Sequence, residues 1–389
     1  MKILFIDPIL LQNYMGGSHK SLLSIMNALK HHEHDILLAS PGESTFMTAA
    51  NESGIQTNQF YMPDFMDTRI TLGKKRLFNV FATFYDIFVL LIASLSLLRL
   101  IMRTKPDIVH ANQMLISIAS GLACTLTGTP CVWHIRENPS PYVPKFIVKI
   151  YGLLGHLLSD KIVVNSKYTA GLFKHTLAYR KMQVIPIGIE PVEQASQAMN
   201  EQKPTKLISI FGRVMHLKGH HILIEALSLL KQEAFDFKLH IYGHYQDDDP
   251  YYLSLLDQVK THGLFTRVEF FGFTRDISTA YRNSSIVVTS SVEAETFGRT
   301  VVEAMAHVKP IIATNVGAHA EIVESGVSGK IVDPNDPAAL SYAIKELLAD
   351  DKLAKQIGHN GYKRYTENFT MDIYCYKLEN LYSELLSSK

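Results

Sequence analysis

Two glutamates carry the strongest chemical signal in the chain. Glu295 and Glu303 stand eight positions apart in Glu295-Thr296-Phe297-Gly298-Arg299-Thr300-Val301-Val302-Glu303, with Ala304-Met305-Ala306 following. At ~3.6 residues per turn that separation is a little over two helical turns. It predicts Glu303 inside a helix and Glu295 just before it. A helix beginning near Gly298 offers unpaired N–H groups and a positive dipole end, a natural seat for phosphate or sugar oxygens. A carboxylate accepts hydrogen bonds from two neighbouring hydroxyls, which is how acidic side chains hold a ribose diol. A helix with one acidic residue at its start and one exposed glutamate would read the same.

A second signal is Phe211-Gly212-Arg213-Val214-Met215-His216-Leu217-Lys218-Gly219, directly after an apolar run. Two cations flank a strand-to-helix turn at the carboxyl end of a strand, where open α/β sheets bind ligands. The arginine fork and the lysine point charge both suit a diphosphate. A solvated turn is the plainer alternative. A third signal is Met15-Gly16-Gly17-Ser18-His19 after the first apolar run. Paired glycines let backbone approach a phosphate. The spacing is not G-x-G-x-x-G, so a dinucleotide site is poorly supported, and a simple turn reads equally well.

Two other clusters invite metal readings. Asp247-Asp248-Asp249 precedes Pro250 and reads better as a solvated loop. His31-His32-Glu33-His34 closes the helical pattern Ser21–Lys30, where cationic side chains suit a helix C-terminus. No metal is expected. The cysteines, Cys124, Cys131 and Cys375, are too few for a disulfide framework and form no CxxC site. The chain reads as cytoplasmic: Asp7-Pro8 breaks the opening apolar run Ile3–Ile6 well short of an export signal.

These groups need a scaffold. With 389 residues the chain exceeds the ~250–300 at which single cores stop growing, so two domains are expected. Short apolar runs alternate with helical patterns, which predicts parallel α/β layers. Strands are expected at Ile3–Asp7, Asp35–Ala39, Ile108–His110, Cys131–His134, Ile162–Asn165 and Gln183–Pro186. A second series is expected at Lys206–Phe211, Lys238–Gly243, Arg267–Gly272, Ile286–Thr289, Pro310–Thr314 and Gly329–Val332. The polar stretch Glu190–Lys206 reads as a linker. A formal charge of +1 gives no support to bulk nucleic-acid binding. Only 19% of residues are charged, which excludes disorder and suggests contact with an apolar surface. The segment 74–105 sharpens that suggestion: Lys74-Lys75-Arg76 precede a long apolar stretch whose uncharged centre, Ile87–Leu98, is too short to span a bilayer. It reads either as a helix lying in a membrane interface, through residues 74–102, or as a helix packed on the first sheet.

In order, Gly212-Arg213…Lys218-Gly219, Glu295…Glu303-Ala-Met-Ala, Pro310-Ile-Ile-Ala, Gly317…Glu321-Ile-Val and Gly326…Gly329 resemble the donor-binding half of the family 4 retaining glycosyltransferases. In the first half the resemblance rests on Gly16-Gly17, Pro106-Asp107-Ile108-Val109-His110, His134 and Val184-Ile185-Pro186. It implies an α/β chain of GT-B fold: two facing Rossmann-like doubly wound domains with a cleft between them. Residues 1–190 would bind the acceptor and 191–370 the nucleotide-sugar donor, with 371–389 a helix crossing back to the first domain. Glu303 is similar to the glutamate that holds the ribose hydroxyls, and Glu295 to the one near the transferred sugar. Arg213 and Lys218 resemble the pair that neutralises the leaving diphosphate. Backbone N–H groups at Phe297, Gly298 and Arg299 would contact sugar or phosphate oxygens. Gly212 lies in the phosphate turn, Gly272 and Phe273 beside the nucleobase, and Gly16 and Gly17 would approach the diphosphate from the first domain. His134 resembles the histidine facing the reacting sugar, with Arg136 and Glu137 reaching towards the acceptor. The sequence departs from the family pattern at Val308, where a glycine is usual, at Gly317-Ala318 in place of Gly-Gly, and at Ile187 in place of Asn.

The resemblance implies a metal-independent, front-face transfer that keeps the anomeric configuration and uses no cofactor besides the nucleotide sugar, UDP ranking ahead of GDP. The acceptor would be a glycan or lipid-linked glycan of bacterial cell-surface polysaccharide synthesis, such as lipopolysaccharide or capsule, met on the inner face of the cytoplasmic membrane. Two rivals stand beside it: a nucleotide-sugar epimerase of the same fold, and a non-catalytic sugar-nucleotide binding protein.

Overall fold

The computed structural model describes residues 1–8, 16–66, 69–72, 75–78, 80–139, 143–192, 206–274 and 276–388. The chain divides into two units, Met1–Ile185 with Tyr374–Lys389, and Pro186–Ile373. The first is built from β1 (Lys2–Ile6), α1 (Gly17–His31), β2 (Asp35–Ser40), α2 (Thr45–Glu52), β3 (Gln56–Gln59), the hairpin β4 (Arg69–Leu72) and β5 (Lys75–Phe78), α3 (Val80–Thr104), β6 (Ile108–Asn112), α4 (Met114–Thr127), β7 (Cys131–Ile135), α5 (Lys145–Leu158), β8 (Lys161–Val164), α6 (Lys167–Leu172) and β9 (Met182–Val184). Seven strands form one parallel sheet in the order β3-β2-β1-β6-β7-β8-β9. Burial on both faces explains the continuous apolar runs of its central strands. β3 is Gln-Thr-Asn-Gln, an edge strand that carries no apolar signal.

The second unit holds β10 (Leu207–Phe211), α7 (His220–Gln232), β11 (Lys238–Tyr242), α8 (Pro250–Thr261), β12 (Val268–Gly272), α9 (Ile277–Asn283), β13 (Ile286–Thr289), α10 (Arg299–Ala306), β14 (Ile311–Thr314), α11 (His319–Ile322), β15 (Lys330–Val332), α12 (Pro337–Ala349) and α13 (Asp351–Asn368). Six parallel strands run β12-β11-β10-β13-β14-β15. The order reverses between β10 and β13, so their carboxyl ends flank a crevice. The last helix, α14 (Met371–Ser387), joins the first unit from Tyr374 onward.

The boundary falls before Pro186 and not after residue 190. Ile189 is held in the second unit: its N–H donates to Phe369 O (2.9 Å) and its carbonyl accepts from Met371 N–H (3.1 Å) and Tyr365 Oη (3.1 Å). Of the expected linker, residues 193–205 lie outside the described residues, as does Met15 of the glycine turn. Lys74 is also outside them. Lys75 and Arg76 belong to strand β5, so the basic run expected to flank α3 is interrupted by a hairpin.

Both acidic and histidine decoys resolve into helix ends. Asp249 caps α8, its carboxylate accepting from Tyr251 N–H (2.7 Å), with Pro250 at the first helical position. His31 lies in the last turn of α1 and His32 caps it. His32 Nδ1 and His34 Nε2 meet Glu379 Oε1 of α14 at 2.8 and 2.9 Å. Among the described residues no group of three or more histidine, cysteine or acidic side chains is set to hold a metal ion. The three cysteines are free and buried.

Candidate functional site

The carboxyl end of β10 turns at Gly212, whose N–H donates to Tyr242 O (2.9 Å). Arg213 follows, exposed, and a 3-10 turn over His216–Lys218 leads to Gly219 and α7. Gly219 has φ +66°, and a Cβ there would lie 1.9 Å from Ser290 O, so only glycine fits. That approach joins the turn to the loop after β13. Ser290 Oγ donates to the carbonyls of Lys218 (3.1 Å) and Gly219 (2.9 Å), and Val292 N–H donates to Leu217 O (2.9 Å).

The loop delivers Glu295 to Lys218. Lys218 Nζ donates to Glu295 Oε1 at 2.8 Å, and Ser291 Oγ donates to the same oxygen at 2.5 Å. Burial alone would push the Glu295 carboxyl up; Lys218, with His319 and Ser291, outweighs it and holds the carboxyl below its ordinary value. His319, at the start of α11, is fully buried, with Nε2 3.8 Å from Glu295 Oε1. Its Nδ1 meets Thr314 O at 2.9 Å; a carbonyl only accepts, so Nδ1 carries the proton. Burial also lowers its pKa. Its Nε2 faces the Glu295 carboxylate and has no hydrogen-bond partner among the described residues.

Glu303 sits in the middle of α10, as its spacing predicts. Arg299 Nε donates to Oε1 at 2.6 Å and Tyr281 Oη donates to Oε2 at 2.9 Å. Tyr281, from α9, is buried between the rings of Phe211 and His307, with centroids at 3.9 and 4.6 Å. The carboxylate thus presents a fixed orientation while a small part of its side chain stays in solvent. Gly298 caps α10 at φ +97°, and Phe297 is buried beside it. Thr300 Oγ1 donates to Phe211 O at 3.5 Å, setting the start of α10 against the end of β10. Gly272 ends the outer strand β12 and exposed Phe273 follows it.

The second unit therefore gathers Lys218, Glu295, Glu303, Arg299, Gly212 and Gly298 on the carboxyl ends of β10 and β13 and the loops that follow them, with Arg213 exposed on the same turn. Tyr281, His319 and Ser291 escaped the sequence reading. No local pattern marks them, because each becomes significant only through a partner in another element.

The remaining candidates lie in the first unit. Gly16 caps α1 and Gly17 opens it. His134 lies one residue before the end of β7 and is buried, its Nδ1 3.1 Å from His110 Nε2 and its Nε2 2.9 Å from Asn165 Oδ1. His110 Nδ1 in turn meets Tyr382 Oη of α14 at 2.6 Å. Burial, then the neighbouring His110, keeps the His134 ring neutral. Glu137 accepts from Met114 N–H (2.8 Å) at the start of α4, and Arg136 reaches Ser18 O at 3.4 Å.

The family model described as Glycosyl transferases group 1 matches residues 192–364, and that described as Glycosyltransferase Family 4 matches 15–193. The chain is 30% identical over 184 residues to the lipopolysaccharide core biosynthesis mannosyltransferase LpcC of Rhizobium leguminosarum bv. viciae, a match taking in 46% of this chain and about half (51%) of that relative. It is 25% identical over 320 residues to the capsular polysaccharide biosynthesis glycosyltransferase CapM of Staphylococcus aureus, covering 75% of this chain and 81% of that one. The crystal structure of Anabaena Alr3699/HepE in complex with UDP superposes with a TM-score of 0.81 at 21% identity, covering 99% of this chain and all of that one. That likeness shows the fold, the GT-B class. Each unit answers to one of the two family models, which between them run from residue 15 to 364, and the protein belongs to the family 4, group 1 glycosyltransferases.

Proposed function

We propose that the protein is a retaining, metal-independent glycosyltransferase. It moves a sugar from a nucleoside-diphosphate sugar, UDP ranking ahead of GDP, to a glycan or lipid-linked glycan in bacterial cell-surface polysaccharide synthesis. The observation that carries this reading is the paired arrangement on the second sheet: Glu295 bound to Lys218, and Glu303 fixed by Tyr281 and Arg299. A carboxylate held from behind on both oxygens can still accept two hydroxyls, which suits a ribose diol. Glu295 suits hydroxyls of the transferred sugar. Lys218 and Arg213 suit the diphosphate, and their charge takes the place a metal would fill. The names of two relatives, from lipopolysaccharide core and capsular polysaccharide synthesis, support the pathway.

In this mechanism the bond between the anomeric carbon and the phosphate oxygen breaks and its electron pair stays on the diphosphate. The acceptor oxygen bonds to the same face of that carbon and passes its proton to the departing phosphate oxygen. Catalysis then rests on positioning and on charge placed before the reaction begins. His134 is assigned the sugar-facing role. Its ring is engaged by His110 and Asn165, and its carbonyl accepts from Gln113 N–H at 3.3 Å, so the second lone pair of that oxygen is the one assigned to the developing positive charge. The three buried free cysteines accord with a cytoplasmic site of action.

The test is a panel of nucleotide sugars read by thermal shift, then transfer assays on wild type, Arg213→Ala and Glu303→Ala. A matching donor raises the melting temperature by mass action. Both variants are expected to keep the fold and lose transfer by orders of magnitude. Near-normal turnover in both would reject the assignment. Isomerised sugar without nucleotide release would favour an epimerase instead.

A further inference from the structure

The first unit carries an apolar face that its own core does not use. α3, α4 and α5 make the successive crossovers β3→β6, β6→β7 and β7→β8, all stepping the same way along the sheet. Right-handed crossovers place them side by side on one face, and α4 packs against both neighbours. One side of α3 is core: Leu90, Ala93, Leu97, Leu100 and Ile101 are buried with strand residues Leu4 and Val109. The other side runs Phe81, Phe84, Phe88, Leu91, Leu95 and Met102, all exposed, with Phe81 at 74% and Phe84 at 69%. Those positions follow the three- and four-residue steps of a single helical stripe. α5 presents Phe146, Ile150, Leu153 and Leu157, likewise exposed. An exposed apolar surface of this extent marks an interaction site.

Charge identifies the partner. Arg99 on α3 and Lys145 and Lys149 on α5 are exposed among these apolar residues. α4 and α5 contain no acidic residue, and the sole one in α3, Asp86, accepts from Met66 N–H (2.9 Å). A second copy docked through a two-fold axis would bring the same cations face to face. A bilayer rich in anionic lipid would pair them with headgroups and cover the stripes with acyl chain. Phe84–Thr104 is long and apolar enough to cross a membrane, yet its inner side is part of the core and would have to leave it. We propose that the outer face of α3 and α5 docks the first unit on an anionic bilayer surface, lying in the interface without crossing it. None of these residues belongs to the donor cluster, so the inference stands or falls apart from the transferase reading.

The test uses the full chain in vesicle flotation. Wild type is expected to float with phosphatidylcholine vesicles containing about a quarter phosphatidylglycerol, weakly with phosphatidylcholine alone, and less as salt rises. F88D/L91D is expected to lower the partition coefficient at least about tenfold. K145E/K149E is expected to abolish the preference for anionic vesicles while leaving the melting temperature unchanged. Because two aspartates could perturb folding, F84S/F146S, at side chains already in solvent, serves as a second apolar variant, and both are checked for wild-type melting. Wild type that floats with neither vesicle, or folded apolar variants that float as well as wild type, would overturn the proposal. So would a lipid-free dimer, in sedimentation analysis, that the apolar variants dissociate.

Discussion

Removing the Lys218 charge should expose how the Glu295 carboxylate is kept ionised. The ammonium lies 2.8 Å from Oε1, and the two side chains retain only 21% and 18% of their surface. Unpairing a fully buried ion costs about 3–5 kcal/mol. Here some solvent reaches the pair and Ser291 still donates, so Lys218→Met should cost about 2–3 kcal/mol at neutral pH. Glu295→Gln should cost less, because the longer lysine can turn to water. The double variant should be more stable than the sum of the singles predicts by about 1.5–2 kcal/mol. The pH dependence has a definite sign. In the wild type the Glu295 carboxyl is held down: burial, which would raise it, is outweighed by Lys218. Its contribution is present above the unfolded carboxylate value of ~4.3 and is lost as pH falls through the lower folded value. Without Lys218, burial dominates and the folded value rises. The resulting penalty is full at neutral pH and vanishes as pH falls below ~4.3. The gap between wild type and Lys218→Met should therefore close on acidification. Urea unfolding followed by far-UV circular dichroism is the assay, because the single tryptophan, Trp133, belongs to the first unit. A coupling below about 0.5 kcal/mol, or a gap that does not change with pH, would refute the reasoning.

Three further outcomes follow from particular contacts. If UDP is the donor nucleotide, as proposed, Tyr281→Phe, which keeps the stacked ring but removes the hydrogen bond to Glu303 Oε2, should weaken its binding about tenfold by calorimetry; an unchanged Kd would take Tyr281 out of the site. Val308 holds φ +58° just past the end of α10, its N–H donating to Met305 O (3.0 Å) while Lys309 N–H donates to Ala304 O (2.9 Å). Val308→Gly should therefore be more stable than Val308→Ala by about 1 kcal/mol in urea titration, the reverse of the order expected where backbone is ordinary. Tyr382→Phe leaves His110 Nδ1 without its 2.6 Å partner and should cost about 1–2 kcal/mol, read by Trp133 fluorescence; no loss would mean that water replaces the hydroxyl.

The twelve strands anticipated from apolar runs all appear, most within one or two residues of their expected ends. Burial on both faces makes such strands continuously apolar, and that property is local. β3 and the hairpin β4–β5 were not anticipated. The polar letters of β3 fit an edge strand as well as a loop, and the basic run Lys74–Arg76 looked like the flank of a helix. The glycine usual after α10 is replaced by Val308, yet the chain keeps the positive φ that glycine would take. Hydrogen bonds to Met305 and Ala304 hold the helix end in that shape whichever residue fills it.

Taken alone, the amino-acid sequence settled the class of layers and the helical position of Glu303. Each of these follows from composition, period or spacing along a few tens of residues. Folding decided which oxygen of Glu295 meets Lys218, that Tyr281 and Arg299 fix Glu303, that His319 Nε2 faces Glu295, and that one side of α3 is core while the other faces solvent. A buried polar group takes whichever partner the packing brings within about 3 Å, and that partner comes from an element far away in the chain.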